Sequence, residues 1–200
     1  MSLRYAPVTI ALVVINLLVY GADQFTPEYG NSGVHQLMLL GAIIPDLVAH
    51  GEYYRIVTSG FLQFNLAHIG FNMYALTQAG MVVENIWGSG RFAAIYFAAL
   101  IVGGIAAYVS TIHSPAITAG ASGAIMGLFG AIFALGLKVP KLRQTLVGWA
   151  LFPIIATLSV GLTTKGISNA DHIGGLIAGA LVGFALPAAR LRDQVEEELS

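Results

Sequence analysis

The sequence has no cysteine. That excludes disulfides, a thiolate nucleophile and thiolate metal sites, and it leaves the redox compartment unmarked. Charge is almost as scarce. Only 10% of the residues are Asp, Glu, Lys or Arg, against about 25% in an ordinary soluble domain. So few charges do not coat a globule of 200 residues in water. The net charge of −1 gives no basic face for nucleic acid. No clustered carboxylates and histidines call for a metal, and no glycine-rich phosphate loop calls for a cofactor. An Arg- and Ser-rich transit segment is also missing ahead of the first apolar run. That run is longer than a signal-peptide core and lacks a small-residue cleavage site after it, so a retained span is expected. What the chain has in quantity is apolar residues, at 56%, and 24 glycines. Glycine at this level suits close helix–helix approach in a bilayer.

A spanning helix needs about 20 largely apolar residues. Six stretches qualify or come near: about 6–22, 66–87, 92–112, 118–137, 146–162 and 170–189. The fold expected is all-α, a single polytopic bundle of six transmembrane helices over residues 1–200. Pro7 stands where a helix can begin, and Asn16 is the one strongly polar residue inside the first span. The fourth stretch is short for a span unless Ile117 to Ala121 enters as non-helical chain, which is tolerated at depth only under cover of protein. Pro153 interrupts the fifth. The connection 23–64 is long and mixed. Its apolar pieces are too short to cross, so it is expected to lie at or partly in the membrane, with Tyr53, Tyr54 and Arg55 at headgroup level.

Orientation follows the Lys/Arg bias. With the N-terminus inside, the inner segments hold Arg4, Arg91, Lys138, Lys141, Arg143, Arg190 and Arg192; the outer ones hold Arg55 and Lys165. Both termini are therefore expected in the cytoplasm of a prokaryotic cell, with the protein in its inner membrane.

This topology puts polar side chains of three helices at one depth. His68 and Asn72 open the second span, Ser122 the fourth and His172 the sixth. At about 1.5 Å per residue they all lie within roughly 10 Å of the outer helix ends. A single serine or histidine in an apolar run is ordinarily a packing residue. Four such groups in register mark a site, because polar groups in a membrane are costly. Serine becomes a nucleophile when a base takes its proton, and histidine is the usual base. Ser122 is read as nucleophile and His172 as general base. Gly175, Gly179 and Gly183 leave one face of the sixth span bare, and Ala119, Gly123, Gly127 and Ala131 form a matching ridge on the fourth. Contact between these ridges brings Ser122 to His172. His68 and Asn72, four residues apart, share a helix face. With the Ser122 backbone N–H they can form an oxyanion hole. Asp171 does not face its neighbour His172 and reads as a helix-start residue, so a Ser–His dyad is preferred to a triad. Glu84, at the inner end, reads as structural.

Taken together, Gly120-Ala121-Ser122-Gly123, His68-x-x-x-Asn72 and His172-x-x-Gly175-x-x-x-Gly179 resemble the G-x-S-G, H-x-x-x-N and H-x-x-G-x-x-x-G motifs of the rhomboid intramembrane serine proteases. Glu84, Gly88 and Arg91 also look like the end of that family's second helix. The resemblance covers about Pro7 to Ala189. It implies the same nucleophile, base and oxyanion donors, and a first loop lying partly in the membrane. Two departures stand out. Tyr54-Arg55 replaces the family's Trp-Arg. Met126 stands where some members carry a Tyr that packs on the catalytic histidine, so support for the His172 ring is expected to be looser or to come from elsewhere.

The function expected is cleavage of membrane-protein substrates, near the outer face of the bilayer, in a transmembrane helix that unwinds at small or helix-breaking residues. Water reaches Ser122 from outside. The connection 163–169 and the fifth span are candidate moving parts of a gate. A non-cutting scaffold would have lost Ser122 or His172. A transporter would show an inverted repeat or a polar path along a span, and neither is present.

Overall fold

The computed structural model describes residues 6–25, 33–164 and 167–188. Arg4, Lys165, Arg190 and Arg192 of the charge bias lie outside these described residues, as do Pro27, Gly30, Ala189 and the acidic tail. The regular elements are helices: α1 (Pro7–Asp23), α2 (Gly33–Leu40), α3 (Pro45–Ala49), α4 (Arg55–Thr58), α5 (Leu66–Trp87), α6 (Ser89–Thr111), α7 (Ser122–Lys138), α8 (Arg143–Thr163) and α9 (Asn169–Ala185). Short 3₁₀ turns, Ser59–Phe61 and Pro140–Leu142, follow α4 and precede α8. By length and composition, two described stretches are apolar enough to cross a bilayer, Ser89–Thr111 and Pro140–Thr163. α1 and α7 are apolar but have 17 residues each.

α7 is the centre of the bundle. Only Ser122, Phe133, Leu137 and Lys138 in it escape full burial. Its glycines explain how so many neighbours fit. A methyl group at Gly175 or Gly179 of α9 would fall on the backbone of Gly123 or Gly127, and one at Gly183 would meet Ala131. Backbone therefore touches backbone along the whole α7–α9 seam. On the outside the pattern inverts: Leu18, Phe71, Tyr74, Val109, Phe152, Leu162 and Leu181 are all exposed. A belt of large apolar side chains facing outward requires lipid rather than water around it.

One element follows the sequence expectation and one departs from it, each for a clear cause. α7 begins at Ser122, and the residues before it from 117 on are non-helical, the arrangement that the short fourth stretch allowed. Thr118 pairs with Ile43 in an isolated antiparallel bridge, with N–H···O distances of 2.9 and 3.0 Å. Gly120 then turns at φ +136° and donates its N–H to the Ser59 carbonyl at 2.9 Å. α8 runs unbroken through Pro153, where the sequence suggests an interruption. A proline removes one ladder hydrogen bond and bends a helix without always ending it.

The long connection 23–64 is built around Arg55, which is buried. Its guanidinium donates to the carbonyls of Met38 (2.8 Å) and Ala42 (2.9 Å) and pairs with Glu52 at 2.7 Å. One cation thus gathers α2, the turn after it and α4. At the opposite end of the bundle, Glu84 caps α1 from another helix. Its carboxylate accepts from the N–H groups of Val8 and Thr9, from the Thr9 hydroxyl and from the Ser89 hydroxyl, at 2.6–3.0 Å. This supplies partners for amides that a helix start leaves open and agrees with the structural reading of Glu84.

Candidate active site

Three helix N-termini carry the site. His68 is the third residue of α5, Ser122 the first of α7 and His172 the fourth of α9. Each start has a local reason. Asn65 caps α5 by accepting the His68 N–H, at 2.9 Å. Ser168 caps α9 by accepting from the Asp171 N–H, at 3.2 Å. α7 has no side-chain cap of its own, so its first amides, that of Ser122 included, keep no partner within the helix.

The Ser122 hydroxyl lies 2.9 Å from His172 Nε2. His172 is buried and Ser122 partly exposed. The other ring nitrogen, Nδ1, is buried and has no hydrogen-bond partner. The Asp171 carboxyl turns away from it. It occupies the space that a side chain would take at Gly123 and at Gly103, so it joins α9 to both α6 and α7. Among the described residues no aromatic ring stacks on His172, and Met126 is buried in the core of the bundle.

The His68 ring stands over Gly120. A Cβ at Gly120 would come 2.8 Å from its Cε1 and 3.1 Å from its Nε2, and 3.5 Å from the Ser122 hydroxyl. Gly120 therefore serves twice: only glycine takes its φ readily, and only glycine leaves room for the ring. The tautomer of His68 follows from its other side. Phe64 N–H donates to Nδ1 at 3.3 Å, and the Phe64 ring stacks on the imidazole at 5.6 Å. With Nδ1 accepting, the proton of the neutral ring is on Nε2, the nitrogen facing Gly120. Asn72 sits one turn further along α5. Its Nδ2 donates to Gln63 Oε1 at 2.8 Å.

Sequence reasoning did not single out Gln63, Ser59 or Ile43. All three lie in the 23–64 connection, where a polar residue is no anomaly and a backbone pairing leaves no sequence mark. Asn16 was visible as a polar residue in an apolar span, without a partner. A cavity of about 480 Å³ opens beside the site between the end of α6, residues 116–118 and the start of α9, with Ser110, Thr111, Thr118, Ser168 and Asn169 on its walls. It does not reach Ser122 or His172 themselves. Among the described residues no group of three histidine or carboxylate side chains converges as a metal site.

A sequence model of the Rhomboid domain matches residues 50–189. Rhomboid protease GluP of Bacillus subtilis is 40% identical over 158 residues, 78% of this chain and 31% of that protein. Rhomboid protease AarA of Providencia stuartii is 31% identical over 212 residues, covering 92% of this chain and 74% of its own. Rhomboid protease GlpG of Photorhabdus laumondii is 29% identical over 190 residues, 92% of this chain and 63% of its own. The chain thus spans less than a third of the length of GluP.

Proposed function

We propose, from the premise that this chain belongs to the rhomboid family, that it is an intramembrane serine protease working through a Ser122–His172 dyad. The observation that carries the reading is the 2.9 Å approach of the Ser122 hydroxyl to His172 Nε2 at the N-terminal ends of α7 and α9. In that geometry Nε2 accepts the hydroxyl proton as oxygen attacks the scissile carbonyl, and returns it to the leaving amine. Nδ1 then carries the ring proton of the resting base. Asp171 is engaged with α6 and α7, which favours a dyad over a triad. The oxyanion of the tetrahedral intermediate is met by His68 Nε2–H, the Asn72 amide and the Ser122 N–H, with the positive ends of three helices directed at the same level.

In this reading the chain is one membrane domain of six spans, α1 and α5 to α9, with α2 to α4 resting at the outer surface. Both termini face the cytoplasm, a reading that the Lys/Arg bias supports, and the membrane is taken as the inner membrane of a prokaryotic cell. The substrate is a transmembrane helix of another membrane protein, cut near the outer face where small or helix-breaking residues let it unwind. A regular helix closes its peptide bonds to attack. Water reaches Ser122, which is partly exposed, from the outer side. α8 is the candidate gate, since among its residues only Ala150 and Ile154 are buried.

The reading is tested with a serine-reactive fluorophosphonate on the purified protein. The expected result is one labelled serine, lost in Ser122→Ala and in His172→Ala. Labelling that persists in Ser122→Ala overturns it. A non-cutting scaffold would bind membrane helices yet take no label.

A further inference from the structure

Three buried amide side chains form a chain running away from the site. Asn72 Nδ2 donates to Gln63 Oε1 at 2.8 Å, Gln63 Nε2 donates to Asn16 Oδ1 at 3.1 Å, and Asn16 Nδ2 donates to the Leu12 carbonyl at 2.9 Å. All three residues are buried, Asn16 completely. They belong to α5, the connection before it and α1.

We infer that Gln63 and Asn16 are positioning residues that fix which edge of the Asn72 amide donates. The argument begins at the far end. The Leu12 carbonyl only accepts, so Asn16 must turn its NH₂ toward it and its oxygen away. That oxygen requires a donor, so Gln63 presents its NH₂ to Asn16 and its own oxygen to Asn72. That oxygen in turn requires the Asn72 NH₂. Every amide in the series therefore has one sense only, set by a backbone carbonyl two side chains away.

The consequence concerns catalysis, because the two edges of an amide are nearly alike in shape and opposite in polarity. An Asn72 free to flip would offer its carbonyl oxygen to a developing oxyanion for part of the time, and repel it. Held by Gln63, Asn72 uses one amide hydrogen on the relay and retains the second for the reaction. Preorganised donors of this kind cost no reorientation when charge develops. The inference rests on the proposed role of Asn72 as an oxyanion donor.

The test is steady-state cleavage of a model transmembrane substrate by the full chain in detergent, with thermal unfolding of each variant followed in parallel. Asn72→Ala is expected to lower kcat about 100-fold and Gln63→Met, an apolar near-isostere, about ten-fold, with KM held within about two-fold in both. Gln63→Glu as a neutral acid accepts from Asn72 and donates to Asn16, so it keeps kcat within about three-fold of wild type. The deciding arm is the double variant. If Gln63 acts through Asn72, Gln63→Met has no further effect once Asn72 is Ala. Full multiplication of the two losses, or an unchanged kcat in Gln63→Met, overturns the inference and leaves the oxyanion role of Asn72 intact. An unchanged kcat in Asn72→Ala overturns that role and this inference together. Should Gln63→Met unfold, Asn16→Leu removes the far anchor, and the same cycle with Asn72→Ala decides.

Discussion

α7 and α8 are successive, apolar and glycine-containing, yet one is enclosed by protein and the other scarcely touched by it. The difference lies in where their small residues face. A methyl at Gly127 of α7 would meet Ala99 of α6 and the Gly175 carbonyl of α9, whereas Gly148 of α8 has open space in the same place. α8 leans on α7 near its start, through Trp149 against Phe129 at 5.6 Å and Val147 beside Gly136. Further along, Ile154 is buried in the core with Leu158 packed against it, and Asn169 of α9 donates to the Leu158 carbonyl at 3.2 Å and lies against Gly161. Ser122 and His172 thus stand on a seam of interlocked backbone, while the neighbouring helix buries only Ala150 and Ile154 along its length. A rigid site beside a loosely held wall suits a reaction whose substrate arrives sideways through the membrane.

The contrast is broken most severely at the seam. Gly179→Val places side-chain atoms on the Gly127 backbone, which has nowhere to go. A loss of about 3 kcal/mol or more is expected, seen as a collapse of the thermal midpoint in detergent together with activity. Phe152→Ala on the exposed face of α8 is the control, expected within about 0.5 kcal/mol of wild type.

A second experiment keeps the fold and removes the looseness. The absence of cysteine lets a cysteine pair be placed on α5 and α8 in a clean background. Bridging the pair is expected to stop cleavage of a transmembrane substrate while leaving fluorophosphonate labelling of Ser122 intact. Full cleavage by the bridged protein removes α8 from the gate.

Asn169→Ala moves the comparison the other way. It releases the C-terminal end of α8, at a cost of about 1 kcal/mol for the lost hydrogen bond. A rise of about two-fold in cleavage of the membrane substrate is expected, without a matching rise in the labelling rate of Ser122. Equal changes in both rates would mean that Asn169 acts on the dyad and not on the wall.

The smallest effect belongs to the surface connection. Hydrogen bonds from the Tyr54 hydroxyl, and then from Arg55, hold the Glu52 carboxyl below its usual range. A carboxyl depressed in the folded state stabilises the fold at pH above its unfolded value and loses that contribution as pH falls through its folded value. The protection factors for hydrogen exchange over residues 45–61, with the intrinsic pH dependence of exchange divided out, are therefore expected to stay flat at neutral pH and to fall only below about pH 4. Arg55→Lys should exchange faster at every pH, since lysine cannot reach Met38, Ala42 and Glu52 together.

What could be read from the sequence divides along the same line. Ser122, His68, Asn72 and His172 were visible because each is polar within an apolar run and falls within the first seven residues of a helix. The bare faces at Gly175, Gly179 and Gly183 announced a close partner by spacing alone. Pro153 misled, because a proline marks a lost hydrogen bond and does not say whether neighbours carry the helix through. A short α7 preceded by non-helical chain was readable, but the pairing of Thr118 with Ile43 was not, since it depends on a segment far away in the chain. Gln63 escaped notice for a related reason. In a polar loop a glutamine is unremarkable, and its meaning comes only from the two side chains it joins.

Glu84 carries a consequence for how the protein is made. The amides of Val8 and Thr9 find their acceptor 76 and 75 residues further along the chain. When α1 first enters the bilayer, that carboxylate has not yet been synthesised. Until α5 emerges, the amides at the start of α1 lack this acceptor and have only water and lipid headgroups to donate to. Arrival of α5 then both seals that end and fixes the depth of the first helix, so the order of translation is also an order of assembly.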